Sequence, residues 1–333
     1  MPRIYTRIYD KIQMGLQQLT KTRSYIANKA IQSKLWYLDN YATYNYSFYD
    51  KIVCNKFKAI LGGNVRIMCT GSAPIAVDVL NFLKVCFCCP ILEGYGQTES
   101  TAASCVTLPM DSQAGHVGGP IPCVKVRLRD IPEMGYTSND LPHPRGEICF
   151  QGPSVFQGYF KNEEKNKEAM VDGWLLSGDV GIILPNGSVK VIDRAKNIFK
   201  LAQGEYIAPE KLENVYVQSP YVAQIHVHGD SLQSYLVAII VPDFDALKVW
   251  WEKLGEERKE PPSEEEFCGD ERVTQIILAS MNELATSNKF NGLERVKKVY
   301  LHPEAFSEKN DLLTPSQKLK RNVSVQKFRQ QID

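Results

Sequence analysis

The 333-residue sequence predicts an α/β chain in two parts. A larger first segment combines an α/β layer with a small distorted β-barrel or sheet, and a compact α+β unit follows it. Three observations predict this. Residues 1 to about 60 are amphipathic, rich in Tyr and Lys, and free of Pro after Pro2, so they read as helices. From Gly62 the texture changes to short apolar runs separated by Gly and Pro, the alternation of strands and helices that builds an α/β layer. Length alone gives roughly two domains at about 150 residues each.

The elements follow in order. Val65 to Cys69 is a strand that runs into the turn Thr70-Gly71-Ser72-Ala73-Pro74 and then a helix near Ala76 to Val85. Cys86, Cys88 and Cys89 in VCFCCP read as small apolar residues on a buried strand, because no second Cys pair or His pair lies at zinc-ligand spacing. Pro90-Ile91-Leu92 is a short strand ended by the loop Glu93-Gly94-Tyr95-Gly96. Val124, Val126 and Leu128 alternate with Lys125, Arg127 and Arg129, a half-buried strand, and Ile148 and Phe150 repeat the pattern. Asn186-Gly187 between Ile182-Ile183 and Val189-Val191 signals a hairpin. Beyond Asp193, Pro209 opens a helix that runs to Val217. Ala223, Ile225 and Val227 trace a strand, and Leu236 to Val241 another. Glu252 to Arg272 is charge-dense and holds Pro261-Pro262, a solvated loop or surface helix. Val273, Ile276, Ile277, Met281 and Leu284 mark one face of a helix.

Composition excludes several function classes. Hydrophobic residues make up 44% and charged residues 23%, as in globular proteins rather than disordered ones. Lys and Arg number 39 against 38 Asp and Glu, a formal charge of +1, so the field that non-specific nucleic-acid binding needs is missing. The longest apolar stretch, Tyr235 to Pro242, is too short to span a bilayer. The first thirty residues have no h-region, so nothing there marks the chain for secretion. Nine cysteines, an odd number, fit free thiols in a reducing, intracellular compartment.

Three stretches gather polar residues and glycines where a plain core needs neither. In Glu93 to Ser100, two glycines flank Tyr95 and leave its ring face open for stacking on a flat base; Thr98 offers a hydroxyl to a phosphate, and Glu99 is a hard oxygen ligand that suits Mg²⁺. Alone, the segment reads as easily as a surface turn. In Asp172 to Gly181, Asp179 can accept hydrogen bonds from vicinal ribose hydroxyls, with Arg194 further on; a turn cap and a surface ion pair are the plain alternatives. In Leu313 to Arg321, a Pro-containing loop ends in a basic cluster, which is either a solvated face or a means of delivering one ammonium to a developing anion.

Taken together and in this order, Glu93–Ser100, Asp172–Gly181, Asp193-Arg194-Ala195-Lys196 and Thr314–Arg321 resemble the core motifs of the adenylate-forming ligases. The run DGWLLSGDVGIILPNGSVKVIDRAKNIFKLAQGEYIAPEKLE (Asp172 to Glu213) is similar to the fatty-acyl-CoA synthetase signature. HGDSLQSYLVAIIVPD (His228 to Asp243) continues it in the manner of eukaryotic long-chain acyl-CoA synthetases. The resemblance covers essentially the whole chain.

It implies a two-step reaction: ATP and a long-chain fatty acid give an acyl-adenylate and pyrophosphate, and CoA then displaces AMP. ATP and CoA would be co-substrates and Mg²⁺ the metal. By motif, Tyr95 would stack on adenine with Gly71, Ser72 and Ala73 beside the base, and Glu93, Gly94 and Gly96 would complete the nucleotide loop. Thr98 would touch phosphate, Glu99 would hold Mg²⁺, and Asp179 and Arg194 would bind the ribose. Lys318 would be the catalytic lysine. Residues 1–192 would be the later part of an adenylation domain and 193–197 a hinge that includes Lys196. Residues 198–333 would form a C-terminal lid on which Gly204, Glu205 and Tyr206 face CoA. Lys320 and Arg321 read as solvated charge.

Some positions depart from the pattern: Ser177 stands for the usual Thr, Gln317 for a frequent Gly before the lysine, and Ala195 for a frequent Lys. The family's Ser/Thr/Gly-rich phosphate loop ending in Pro-Lys-Gly does not occur in the sequence. The expectation is therefore a C-terminal half to two-thirds of such an enzyme, with little activity alone. A non-catalytic nucleotide- or acyl-CoA-binding module is the alternative, and an aryl-CoA or amino-acid ligase a weaker third. Full-length relatives attach to endoplasmic reticulum or outer mitochondrial membranes, so membrane association follows from the resemblance only.

Overall fold

The structure, a computed structural model, describes residues 2–254 and 261–332. The chain divides into two compact units, Met1–Ile192 and Asp193–Asp333.

The first unit begins with helices α1 (Pro2–Gln17) and α2 (Lys21–Tyr41), the short α3 (Ser47–Tyr49), a π-helical turn at Asp50–Cys54, and α4 (Asn55–Ile60). Their apolar faces meet the helix α5 (Val77–Phe87), which is buried along most of its length. Tyr5, Ile12, Leu16, Ala30 and Leu38 supply the outer side of this core, and Leu80, Leu83, Val85 and Phe87 the inner side. Burying each large side chain contributes about 1.5–3 kcal/mol, which holds the helical layer to the sheet behind it.

That sheet has the order β1 (Met68–Gly71), β2 (Ile91–Tyr95), β3 (Cys105–Val106) and β4 (Gly119–Pro120). β1 and β2 run parallel, joined through α5, with Thr70 opposite Glu93 and Gly71 opposite Gly94. This register brings the Gly71-Ser72-Ala73 turn beside the end of β2, where Tyr95 lies. Cys86, Cys88 and Cys89 are not on a strand: Cys86 is in the last turn of α5, and Cys88 caps it in the left-handed conformation, φ +53°. Because α5 is buried nearly all round, it shows no apolar stripe, and its cysteine-rich end mimics a strand.

The middle segment forms an antiparallel sheet of β5 (Lys125–Arg129), β6 (Arg145–Gln151), β7 (Met170–Val171), β8 (Trp174–Ile183) and β9 (Val189–Arg194). The short α6 (Glu163–Ala169) precedes β7. The order is β5-β6-β8-β7, with β9 on β8, so these strands form an open sheet and no closed barrel. The expected Asn186-Gly187 turn links β8 and β9.

In the second unit the hairpin β10 (Phe199–Lys200) and β11 (Tyr206–Ile207) leads into α7 (Pro209–Tyr216). A three-stranded sheet follows, with β12 (Val222–His228) antiparallel to β13 (Leu236–Pro242) and β13 parallel to β14 (Val296–Leu301). The helices α8 (Phe244–Lys253), α9 (Glu264–Gly269) and α10 (Glu271–Ser287) accompany it, and α11 (Arg321–Lys327) and α12 (Arg329–Ile332) close the chain. Leu212, Tyr216, Ala238, Ile240, Leu247, Phe267, Ile277 and Met281 form its core. Within the charged stretch Glu252–Arg272, residues 255–260 lie outside the described residues. Phe267 is fully buried there, which makes α9 a packed helix with a Ser263/Glu266 capping box rather than a solvated one.

Candidate active site

Each unit carries some of the residues that the motifs single out. In the first, Tyr95 ends β2 and its phenol donates a hydrogen bond to Asp179 Oδ2 at 2.7 Å, across 84 positions of sequence. A local device turns Asp179 toward it. Glu147 pairs with Val180 and Cys149 with Leu176, so Ser177, Gly178 and Asp179 stand opposite Ile148 alone and form a bulge in β8. Gly178 takes the left-handed conformation (φ +71°) that a bulge of this kind requires. The Gly178 N–H donates to Glu147 Oε1 at 2.9 Å, and the Asp179 N–H donates to Ser177 Oγ at 3.0 Å. The hydroxyl kept at Ser177 thus has a structural task. Burial and the adjacent carboxylate push the Tyr95 phenol well above its ordinary pKa, so it remains a donor.

Gly96 is needed for close approach rather than to uncover the Tyr95 ring. A Cβ there would meet the Ala102 carbonyl oxygen at 2.2 Å. The ring itself packs at a tilt on Phe150, centroids 5.7 Å apart. The loop after Gly96 closes tightly, with a reciprocal Gln97/Ser100 cap and Ser104 N–H donating to Tyr95 O at 2.8 Å. Thr98 is exposed on it. Glu99 accepts the Tyr159 hydroxyl on Oε1 at 2.7 Å, and its backbone carbonyl accepts Phe156 N–H at 2.7 Å. That hydrogen bond raises the Tyr159 phenol to about 12. Tyr159 has no role in the sequence reading; its only signal is the Gly/Pro-punctuated run Gly152 to Tyr159.

Glu93 is buried beneath the Gly71–Ile75 turn, and burial raises its carboxyl from 4.5 to about 7, against the pull of Lys84 and the Ile75 N–H. Glu93 Oε2 and its neighbour across the strands, Thr70 Oγ1, are buried with no hydrogen-bond partner among the described residues. A carboxyl raised on folding binds more protons folded than unfolded between the two pKa values. Stability is therefore greatest below about pH 4.5 for this group and is lost as pH rises through about 7. Glu93→Gln is expected to abolish this slope. The wild-type stability, relative to the variant, should fall by up to about 3 kcal/mol between pH 5 and 8, read from melting curves across that range. Parallel curves would contradict the assignment.

In the second unit, Arg194 ends β9 and Lys196 is exposed on the 3₁₀ turn Ala195–Asn197. Asp193, buried, ties this segment down: Oδ1 accepts Arg194 N–H at 2.6 Å and Oδ2 accepts Glu210 N–H at 2.8 Å. Burial and the charge of Glu210 raise its carboxyl to about 7. Gly204 and Glu205 are exposed in the β10–β11 turn, and Tyr206 opens β11 under the Lys200 ammonium, 5.3 Å from its ring centroid. Lys318 is exposed on a loop that Thr314 closes by accepting the Lys318 N–H on Oγ1 at 3.0 Å and donating its own N–H to Lys318 O at 2.8 Å.

Arg321 is not solvated charge. It is largely buried, and its guanidinium grips the Glu213 carboxylate with two nitrogens, Nη1 to Oε1 at 2.9 Å. Glu213 Oε1 also accepts Val227 N–H at 2.8 Å. Burial raises the Glu213 carboxyl, and Arg321 opposes that rise and keeps the ion pair. Glu210 and Asp193 face the same cation. Its charge, after burial itself, also lowers His226, which shares a 2.6 Å hydrogen bond with Ser324.

Residues 5–160 match the family described as AMP-binding enzyme. The chain is 46% identical over 334 residues to long-chain-fatty-acid–CoA ligase 1 of Homo sapiens, covering all of this chain and 47% of that protein. Residues 5–160 carry the AMP-binding enzyme match, and the whole chain is similar to this ligase. Long chain acyl-CoA synthetase 7, peroxisomal, of Arabidopsis thaliana is also 46% identical, over 96% of this chain and 45% of its own length. The chain thus spans less than half the length of these curated relatives. Among solved structures, the adenylation domain of a carboxylate reductase from Mycobacterium chelonae superposes with a TM-score of 0.70 at 29% identity, over 92% of this chain and 44% of that one. The corresponding domain from Segniliparus rugosus, in complex with AMP and a carboxylic acid, gives 0.70 at 28%, over 92% and 45%. In this chain Gln317 has φ +63°, the left-handed region that favours glycine. Its amide bonded to Glu308 Oε1 at 2.7 Å offsets part of that cost.

Proposed function

We propose that this chain supplies the nucleoside face and the C-terminal lysine of a long-chain fatty-acid CoA ligase. The observation that carries the reading is the Tyr95–Asp179 hydrogen bond, which joins two motif segments in a chain 46% identical to named ligases. The Tyr95 ring would lie against adenine beside the Gly71-Ser72-Ala73 turn and the glycines Gly94 and Gly96, with Glu93 fixing that turn from below. Asp179 and Arg194 would receive the ribose hydroxyls, and Thr98 a phosphate oxygen. Glu99 spends one carboxylate oxygen on Tyr159, and the other suits a nucleotide-borne Mg²⁺, which takes one or two carboxylates and keeps its remaining ligands from water and phosphate. The ion would supply charge to the phosphates. Lys318 would bring a fixed ammonium to the carboxylate and the α-phosphate as the acyl-adenylate forms. CoA would then enter near Gly204, Glu205 and Tyr206 and displace AMP.

We read residues 1–192 as the later part of an adenylation domain, 193–197 as the hinge carrying Lys196, and 198–333 as a lid. The hinge reading rests on the short 3₁₀ turn Ala195–Asn197, which follows the boundary at Ile192/Asp193 by two residues. No helix among the described residues is long and apolar enough to cross a membrane. A peroxisomal location is supported by the name of the Arabidopsis thaliana relative, and work at endoplasmic reticulum or outer mitochondrial membranes by the sequence resemblance alone.

These 333 residues hold no Pro-Lys-Gly phosphate loop, and backbone N–H cradles for phosphates are hard to replace. The polypeptide by itself is expected to release no pyrophosphate from ATP and palmitate. Fused behind the first half of the human relative, it is expected to form AMP and palmitoyl-CoA. Turnover by the chain alone would overturn the first expectation. A folded fusion that binds nucleotide without turnover would favour a non-catalytic binding module; the retained Lys318 and Glu99 argue against that.

A further inference from the structure

Away from the nucleotide groups, the helical layer of the first unit encloses a cluster with its own chemistry. Lys34 on α2 is buried, with 1% of its surface exposed. Its ammonium donates to Asp50 Oδ1, to Cys88 Sγ at 3.0 Å and to Cys54 Sγ at 3.4 Å. Asp50 and Cys54 are the two ends of the π-helical turn, a rare element that recurs at functional sites. Cys88 caps α5 in a left-handed conformation that normally selects glycine, and it is only partly buried. The two sulfurs lie within 4.8 Å of one another and of an Asp50 oxygen, and Cys88 Sγ donates to Asp50 Oδ1 at 3.2 Å. The ammonium sits where a metal bound by these three groups would sit, so a metal would have to expel a buried cation.

We propose that Cys54 and Cys88 are an oxidisable dithiol that hydroperoxides close to a disulfide, with Lys34 holding the reacting thiolate. Cys88 gives its S–H to Asp50 Oδ1 and so keeps its proton, whereas Cys54 Sγ accepts from the Lys34 ammonium. Cys54 is therefore the nucleophile. Its thiolate attacks one oxygen of hydrogen peroxide; the S–O bond forms, the O–O bond breaks, and the departing hydroxide takes a proton to become water. The Cys88 sulfur then attacks the Cys54 sulfenic acid; the S–S bond forms, the S–O bond breaks, and the leaving hydroxide takes the Cys88 proton as a second water. Peroxide is reduced by the two electrons that the thiols lose. The bond ties the π turn to the residue that ends α5, three positions before β2 begins, and so links the outer helices to the strand that ends in Tyr95.

The test treats the wild-type chain with hydrogen peroxide, alkylates it in denaturant and maps peptides by mass. The expected product is a dithiothreitol-reversible Cys54–Cys88 cross-link that has lost two hydrogens. Cys88→Ser should leave Cys54 as a sulfenic acid trapped by a 1,3-dione probe, and Lys34→Met should slow cross-linking about tenfold through the smaller thiolate fraction. The wild-type measurement stands even if a variant fails to fold. The proposal is overturned if both thiols stay alkylatable while exposed Cys69 and Cys123 oxidise. Pairing of Cys88 with Cys86 or Cys89, an oxygen-bridged Lys34–Cys88 product, or tightly held zinc that blocks oxidation would each overturn it too.

Discussion

Arg321→Ala is expected to destabilise the second unit by about 3–5 kcal/mol, because it leaves the buried Glu213 carboxylate without its cation. Glu210 and Asp193 lose the same positive charge, so their mutual repulsion grows. For a unit of this size the loss corresponds to a fall in melting temperature of about 10 °C or more. Trp250 and Trp251 report the transition by fluorescence. Removing both charges, as Glu213→Gln with Arg321→Met, should recover much of the loss, since replacing a buried pair costs far less than breaking it. An Arg321→Ala melt within a degree or two of wild type would mean that the ion pair is solvated after all.

Lys318→Ala, made in the fusion with the first half of a curated relative, is expected to slow acyl-adenylate formation by about 10²–10³, or 3–4 kcal/mol of barrier. The Lys318 side chain is exposed and the loop is held by backbone bonds with Thr314, so the melting temperature should not change. Pyrophosphate release in single turnover measures the loss. Lys320→Ala is the control: that ammonium is held by Asp311 at 2.5 Å and should be dispensable. A Lys318→Ala fusion that adenylates at the wild-type rate would remove the lysine from the chemistry.

Local patterns carried much of the fold. Alternation at Val124, Val126 and Leu128 gave β5, Asn186-Gly187 gave the β8–β9 turn, and Pro209 marked the start of α7. The helices α1 to α4 occupy most of residues 2–60, and Leu236–Pro242 is a buried strand. Each of these is encoded within a few neighbouring residues. What escaped depends on partners far away in sequence. The bulge at Ser177–Asp179 exists only relative to β6, and nothing local distinguishes it from a plain strand. Arg321 reads as one more charge in a basic cluster until Glu213, 108 positions earlier, closes on it. The Lys34–Cys54–Cys88 cluster draws on three separate elements, and the VCFCCP run looked apolar because its polar partners come from α2 and the π turn. At the proposed nucleotide site, the motifs named Tyr95 and Asp179, but only the packing supplies Tyr159 beside Glu99 and the burial of Glu93.

The central claim is that Tyr95 and Asp179 form a nucleoside site in the first unit. Calorimetric titration of AMP into the purified 333-residue chain tests it without requiring turnover. The account predicts saturable binding of one AMP per chain, weakened at least tenfold by Asp179→Asn, which removes the acceptor charge for the ribose hydroxyls and leaves the fold intact by circular dichroism. No saturable binding, or equal binding by wild type and Asp179→Asn, would contradict it.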